Sequence, residues 1–175
     1  MRPLLNLIDA MNARLGQAVS WLCLLMVALG AINAIARYAG KYLGASLLST
    51  ALSEGQWYLF SLLFLLGAAW TLQRDRHVRV DVFYGRLSKR RQAILNLIGA
   101  LVLLLPFCVF GIWASVDYVT NSFAQQEMSP DPGGLPRYPI KAAIPAAFVL
   151  LILQGLRQIV GYIEVIRGAQ EERDA

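Results

Sequence analysis

The chain has 175 residues, 57% of them hydrophobic and only 15% charged, and its charges fall in clumps separated by long uncharged runs, which excludes the striped patterning of a soluble domain. The formal net charge is +5, yet twelve of the sixteen Lys and Arg lie in the N-terminal segment, the middle loop and the stretch after Lys141. That distribution follows the positive-inside rule and argues against a nucleic-acid surface.

Residues 1–17 place Leu4, Leu7, Ile8, Met11 and Leu15 at helical spacing, with Asn6, Asp9, Asn12 and Arg14 largely between them. This predicts a short amphipathic helix on the inner membrane surface, its apolar face towards lipid. A first span is predicted over 18–36. Its apolar run is longer than the ~7–15 residues of a signal-peptide core, so it is read as retained although Ala34-Ile35-Ala36 resembles a cleavage site. Gly40 and Gly44 match the GxxxG pattern beside Lys41, outside the span, where the match carries little weight. In the loop that follows, Leu43, Leu47, Leu48 and Leu52 suggest a short helical turn.

The second span, 55–73, opens with Glu54 and the amphipathic pair Trp57 and Tyr58 and runs uncharged to Gln73. Ser53 and Gln56 have capping-box spacing, and Glu54 suits the positive end of a helix. The basic segment beyond it reads RDRHVRVDVFYGRLSKRR. Part of that segment suits anionic lipid headgroups, and Asp81 among Arg76, Arg79 and Arg86 suits a local ion pair. Val80, Phe83 and Leu87 could share one face of a short surface helix. Ser88 is the expected N-cap of a third span over 92–116, with a kink at Pro106. Val116, Val119 and Phe123 extend that helix outwards until Pro130, Pro132, Gly133, Gly134, Pro136 and Pro139 stop it in a stiffened outer loop. A fourth span covers 140–163. Its single charge after Lys141, Arg157, is read as snorkelling to the inner face or meeting a carboxylate of another subunit.

These readings give an all-α integral membrane protein: one domain over 1–175, four spans, an interfacial N-terminal helix and a short inner-loop surface helix, with both termini cytoplasmic. Cys23 and Cys108 sit at depths differing by roughly 15–20 Å, too far apart for a disulfide, and are read as packing residues. Bound haem would need several intramembrane histidines, and the one histidine, His77, lies in a loop. Zinc-ligand spacing and a phosphate-binding Gly-rich loop are missing. No cofactor, no metal and no enzymatic activity are therefore expected.

Glu54, Tyr58-Leu59-Phe60, the patch Leu66-Gly67-Ala68-Ala69 and His77-Val78-Arg79-Val80-Asp81 form a spaced pattern. Pro132-Gly133-Gly134-Leu135-Pro136, Ile140-Lys141, Ile144-Pro145 and Leu153-Gln154-Gly155 extend it. Together they resemble the small, DctQ-like membrane subunit of tripartite ATP-independent periplasmic (TRAP) transporters, over nearly the whole chain. The resemblance implies a secondary active transporter of a bacterial inner membrane. In it, a periplasmic binding protein delivers an organic anion and a large membrane subunit holds the substrate and sodium sites. This subunit would pair with the large one as a scaffold. The candidate interface or structural residues are Glu54, Trp57, Tyr58, Gly67, His77, Arg79, Asp81, Pro132, Gly133, Gly134, Leu135, Pro136 and Arg157. Two other classes remain at this stage: a stand-alone small transporter, which would need an intramembrane carboxylate that is not evident, and a non-transporting anchor subunit of another inner-membrane complex.

Overall fold

The computed structural model describes residues 2–43, 50–76 and 84–174. Helix α1 runs from Arg2 to Leu43 and α2 from Thr50 to Gln73. The third stretch is α3, Lys89–Gly99, a π-helical turn over Ala100–Leu104 and α4, Leu105–Ala124. Helix α5 runs from Tyr138 to Asp174. Among the described residues, four stretches are long and apolar enough to cross a membrane: Pro3–Tyr42, Thr50–Gln73, Lys89–Ala124 and Tyr138–Gly168. Each reaches beyond the span read from the sequence, because charges and turn signals bound the apolar core of a helix and not its hydrogen-bonded ends.

Two local expectations are corrected. The segment 2–17 is helical, but it continues into the first span as one 42-residue helix. Its polar face is also turned to other helices and not to water: Leu4, Leu7 and Met11 are exposed, but Asn12 is 1% exposed and Asp9 is turned towards α5. Second, Ser53 does not cap α2, which starts three residues earlier; its hydroxyl instead accepts from Asn33 Nδ2 of α1 at 3.2 Å. Pro106, where the sequence reading put a kink, sits at the start of α4 directly behind the π-turn. Proline has no N–H to give to the carbonyl four residues back and clashes with it. The widened turn absorbs this, with Leu105 N–H bonding to Ala100 O five residues back. Ser88 does stand at the N-cap of α3 with extended backbone, but its hydroxyl makes no capping bond. The helical turn expected in the first loop and the surface helix expected around Val80 and Phe83 lie, in whole or in part, outside the described residues.

The helices form an open row. Helix α1 packs along α2, α2 packs on α5, and α5 packs on α3, the π-turn and α4. Helix α1 also meets α5 near its start, where Asn12 Nδ2 donates to Gln154 Oε1 at 2.7 Å. Small side chains sit inside: Ala69, Ala93, Ala100, Ala143 and Ala147 are buried, with Val19, Cys108 and Ile140. Large ones point outward, including Trp21, Phe64, Leu103 and Trp113. Lipid tails are as apolar as leucine, so in a membrane close backbone approach through small residues replaces water exclusion as the packing force. Cys108 is completely buried, as a packing residue should be, whereas Cys23 is exposed on α1; both are free thiols.

Candidate functional site

Two polar clusters fasten the row at opposite ends. At the first, the α4–α5 connection closes on α2. Asp131 to Gly134 make a tight turn in which Gly134 N–H bonds to Asp131 O at 3.1 Å. Pro132 and Gly133 are its central pair, and Gly133 has φ 72. That is the type II pattern: proline presets the first central residue and glycine takes the left-handed second. The turn is flanked by Ser129 N–H to Leu135 O at 3.2 Å and Arg137 N–H to Glu127 O at 2.7 Å, with a bridge pairing Met128 and Pro136.

The turn is held down by Glu54, which is 5% exposed. Its Oε2 accepts Leu135 N–H at 2.5 Å, and its Oε1 accepts the Ser129 hydroxyl and Arg137 Nη2, the latter at 3.3 Å. One buried carboxylate thus receives a backbone amide, a hydroxyl and a guanidinium, and hydrogen bonds to an ionised group are about twice as strong as neutral ones. Gly134 makes this approach possible: a Cβ there would lie 2.4 Å from Ser129 Cβ and 2.7 Å from Glu54 Oε2. One turn further along α2, the Tyr58 hydroxyl donates to Pro136 O, and the Arg137 guanidinium lies 5.2 Å from the centre of the Trp57 ring. Glu127 accepts from Lys141 Nζ and from Ser122 Oγ, the latter at 2.7 Å. These bonds, Lys141 first, hold the Glu127 carboxyl below the usual carboxylate range.

At the opposite end a carboxylate on α1 reaches α5. Asp9 Oδ2 accepts Arg157 Nε at 2.8 Å, and its Oδ1 accepts Gln154 Nε2 at 3.2 Å. Gln73, the last residue of α2, donates to Asp9 O at 2.9 Å, and Gln158 donates to Leu72 O at 2.7 Å. Arg157 therefore has its partner within the chain. This corrects the sequence reading that sought a carboxylate on another subunit. Asp9 and Asn12 were missed because the amphipathic pattern put them on the watery face. In lipid the signal reverses, and a polar stripe beside an apolar one marks the side turned to other helices.

The structure brings together Glu54, Trp57, Tyr58 and the Pro132–Pro136 loop, and leaves Arg157 at the other end. Gly67 serves no close approach, since a Cβ there would meet nothing within 4 Å. Its carbonyl accepts the Thr71 hydroxyl at 3.0 Å. His77, Arg79 and Asp81 lie outside the described residues, and so does the ion pair expected of Asp81. Among the described residues, no group of three His, Cys, Asp or Glu is placed to hold a metal.

Four membrane-length helices joined by short polar ties define a multi-pass α-helical membrane protein. The chain belongs to a particular family of these: residues 26–164 match the model of the DctQ component of tripartite ATP-independent periplasmic transporters. It is thus of the kind that forms the small permease component of such transporters. Comparison with curated proteins gave no match, and neither did comparison with solved structures. The matched region contains Glu54, the proline turn and Arg157 but not Asp9, so the tie at the Asp9 end joins a residue within the match to one before it.

Proposed function

We propose that this chain is a fixed scaffold beside a large membrane subunit, and that the pair takes up an organic acid delivered by a periplasmic binding protein and driven by an ion gradient. The observation that carries this reading is the use made of the ionisable groups within the spans. Glu54 and Arg157 are both engaged in ion pairs that tie segments of the same chain together. A carrier needs such groups facing a cavity that opens in turn to each side. Groups that hold helices and loops to one another instead serve shape. The open row also leaves many large apolar side chains exposed, which suits helix packing against a partner.

In this reading the membrane is a bacterial inner membrane. The Glu54 end with its proline loop is periplasmic, and both termini are cytoplasmic, following the distribution of Lys and Arg. Trp57, Tyr58 and the Pro132–Pro136 turn then form a rigid surface facing the binding protein, and His77, Arg79 and Asp81 belong to the cytoplasmic loop. A cysteine placed at Gly133 reacts with a membrane-impermeant thiol reagent in spheroplasts and one at Ser88 does not; the reverse pattern overturns the orientation.

Proteoliposomes test the function. This chain alone gives no sodium-driven uptake of an organic acid; with the large subunit and the loaded binding protein uptake appears, and without this chain it falls sharply. Uptake by this chain alone, or full uptake without it, refutes the scaffold.

A further inference from the structure

A cleft of about 450 Å³ opens at the Asp9 end, between α1, α2 and α5. Its walls include Asp9, Gln73, Arg74, Gln154, Arg157 and Gln158. We propose that this cleft binds one anionic phospholipid by its headgroup, a phosphodiester bearing a free hydroxyl, of which phosphatidylglycerol is the simplest example.

Three features of the cleft select that chemistry. The first is charge. Two guanidinium groups, Arg74 and Arg157, face one carboxylate, Asp9, leaving a net positive wall that favours a ligand of net charge −1 over a zwitterion. Asp9 occupies only the Nε of Arg157, and among the described residues its Nη groups make no hydrogen bond. Arg74 is exposed, lying 5.4 Å from the centre of the Trp70 ring, and makes no ion pair among the described residues.

The second feature is an unmet acceptor. Gln73 donates one amide N–H to Asp9 O, and among the described residues its buried Oε1 has no donor. A phosphodiester alone would not relieve that deficit, since its ionised oxygens only accept. A headgroup hydroxyl next to the phosphodiester supplies the missing donor, which a buried acceptor needs.

The third feature is depth. From Glu54 to Gln73 the helical rise is roughly 28 Å, close to the ~30 Å hydrocarbon thickness of a bilayer. With the Glu54 end at one boundary, Gln73 and Arg74 stand at the other, where headgroups lie and a soluble anion would compete with lipid at high local concentration. The site does not depend on the scaffold reading, because it needs only that the chain spans a membrane.

Native mass spectrometry of the purified chain tests this, with phosphatidylglycerol and phosphatidylcholine of the same acyl chains offered at equal concentration. One phosphatidylglycerol is retained in preference to phosphatidylcholine. Arg74→Gln weakens that retention roughly fivefold, while Arg37→Gln, an equal loss of charge on another exposed arginine, leaves it unchanged. Arg74 takes no part in the helix ties, so Arg74→Gln keeps the wild-type melting temperature and the comparison remains one of binding. Equal retention of the two lipids, an unaffected Arg74→Gln, or the same loss in Arg37→Gln overturns the site. Displacement of the lipid by millimolar inorganic phosphate overturns the lipid assignment and leaves a free-phosphate site.

Discussion

At the Glu54 end a helix carboxylate takes hold of a loop, whereas at the Asp9 end a helix carboxylate takes hold of another helix. Glu54 is 5% exposed and receives a backbone amide, a hydroxyl and a guanidinium. The Asp9 side chain keeps 27% of its surface exposed and receives one guanidinium and one amide. Glu54 therefore anchors a segment whose own structure is one tight turn with a few backbone bonds beside it. Asp9 reinforces a contact between two helices that are complete without it. The more buried and more fully bonded carboxylate is expected to decide the fold of its end, and the other to adjust it.

The largest effect follows from Glu54→Gln. The amide cannot accept all three donors as an anion does, and Arg137 loses its counter-charge in a mostly buried setting, the situation in which removing one partner is most damaging. The melting temperature in detergent falls further than for any single substitution at the Asp9 end. Limited proteolysis after Arg137, slow in the wild type, becomes fast. An Arg137 bond that stays protected in Glu54→Gln would show that the proline turn holds itself, and the contrast between the ends would fail.

A smaller effect follows from Asp9→Asn. The pair with Arg157 is about a third exposed on each side, so about 1 kcal/mol of stability is at stake. The melting temperature shifts by a few degrees, and cleavage after Arg137 keeps its wild-type rate. A loss equal to that of Glu54→Gln would mean that the row depends on the α1–α5 contact, and the ends would rank the other way.

The same contrast explains what could be read from the sequence. The four spans were legible because three charge-free runs of spanning length, and a fourth broken after Lys141 only by Arg157, have no competing explanation in an otherwise charged chain. The proline turn was legible too, as a type of structure: Pro132-Gly133 announces the conformation that Gly133 adopts at φ 72. Glu54 stood out by position, but its role did not, because its partners Ser129, Leu135 and Arg137 come from a loop two helices away in sequence. The Asp9 tie was hidden for a different reason. A period of 3.6 reveals that a helix has two faces without saying which is turned inward, and a soluble-protein reading sends Asp9 and Asn12 to water. Gln154 gave no warning either, since a lone glutamine in an apolar run becomes meaningful only once Asn12 and Asp9 are placed against it.

Whether this chain moves during transport is tested most directly by stopping it from moving. In a Cys23→Ala, Cys108→Ala background, cysteine pairs at Gly30 and Gln56 and at Leu72 and Gln158 can be joined by a short, reducible bis-thiol crosslinker. These pairs bridge α1 to α2 and α2 to α5, where Gln56 Nε2 would lie 2.6 Å from a Cβ on Gly30 and Gln158 donates to Leu72 O. With both bridges closed, and the large subunit and loaded binding protein present, a scaffold supports uptake at the same rate before and after reduction. Uptake that stops on crosslinking and returns on reduction would contradict the account, because it would make relative motion of these helices part of the transport cycle.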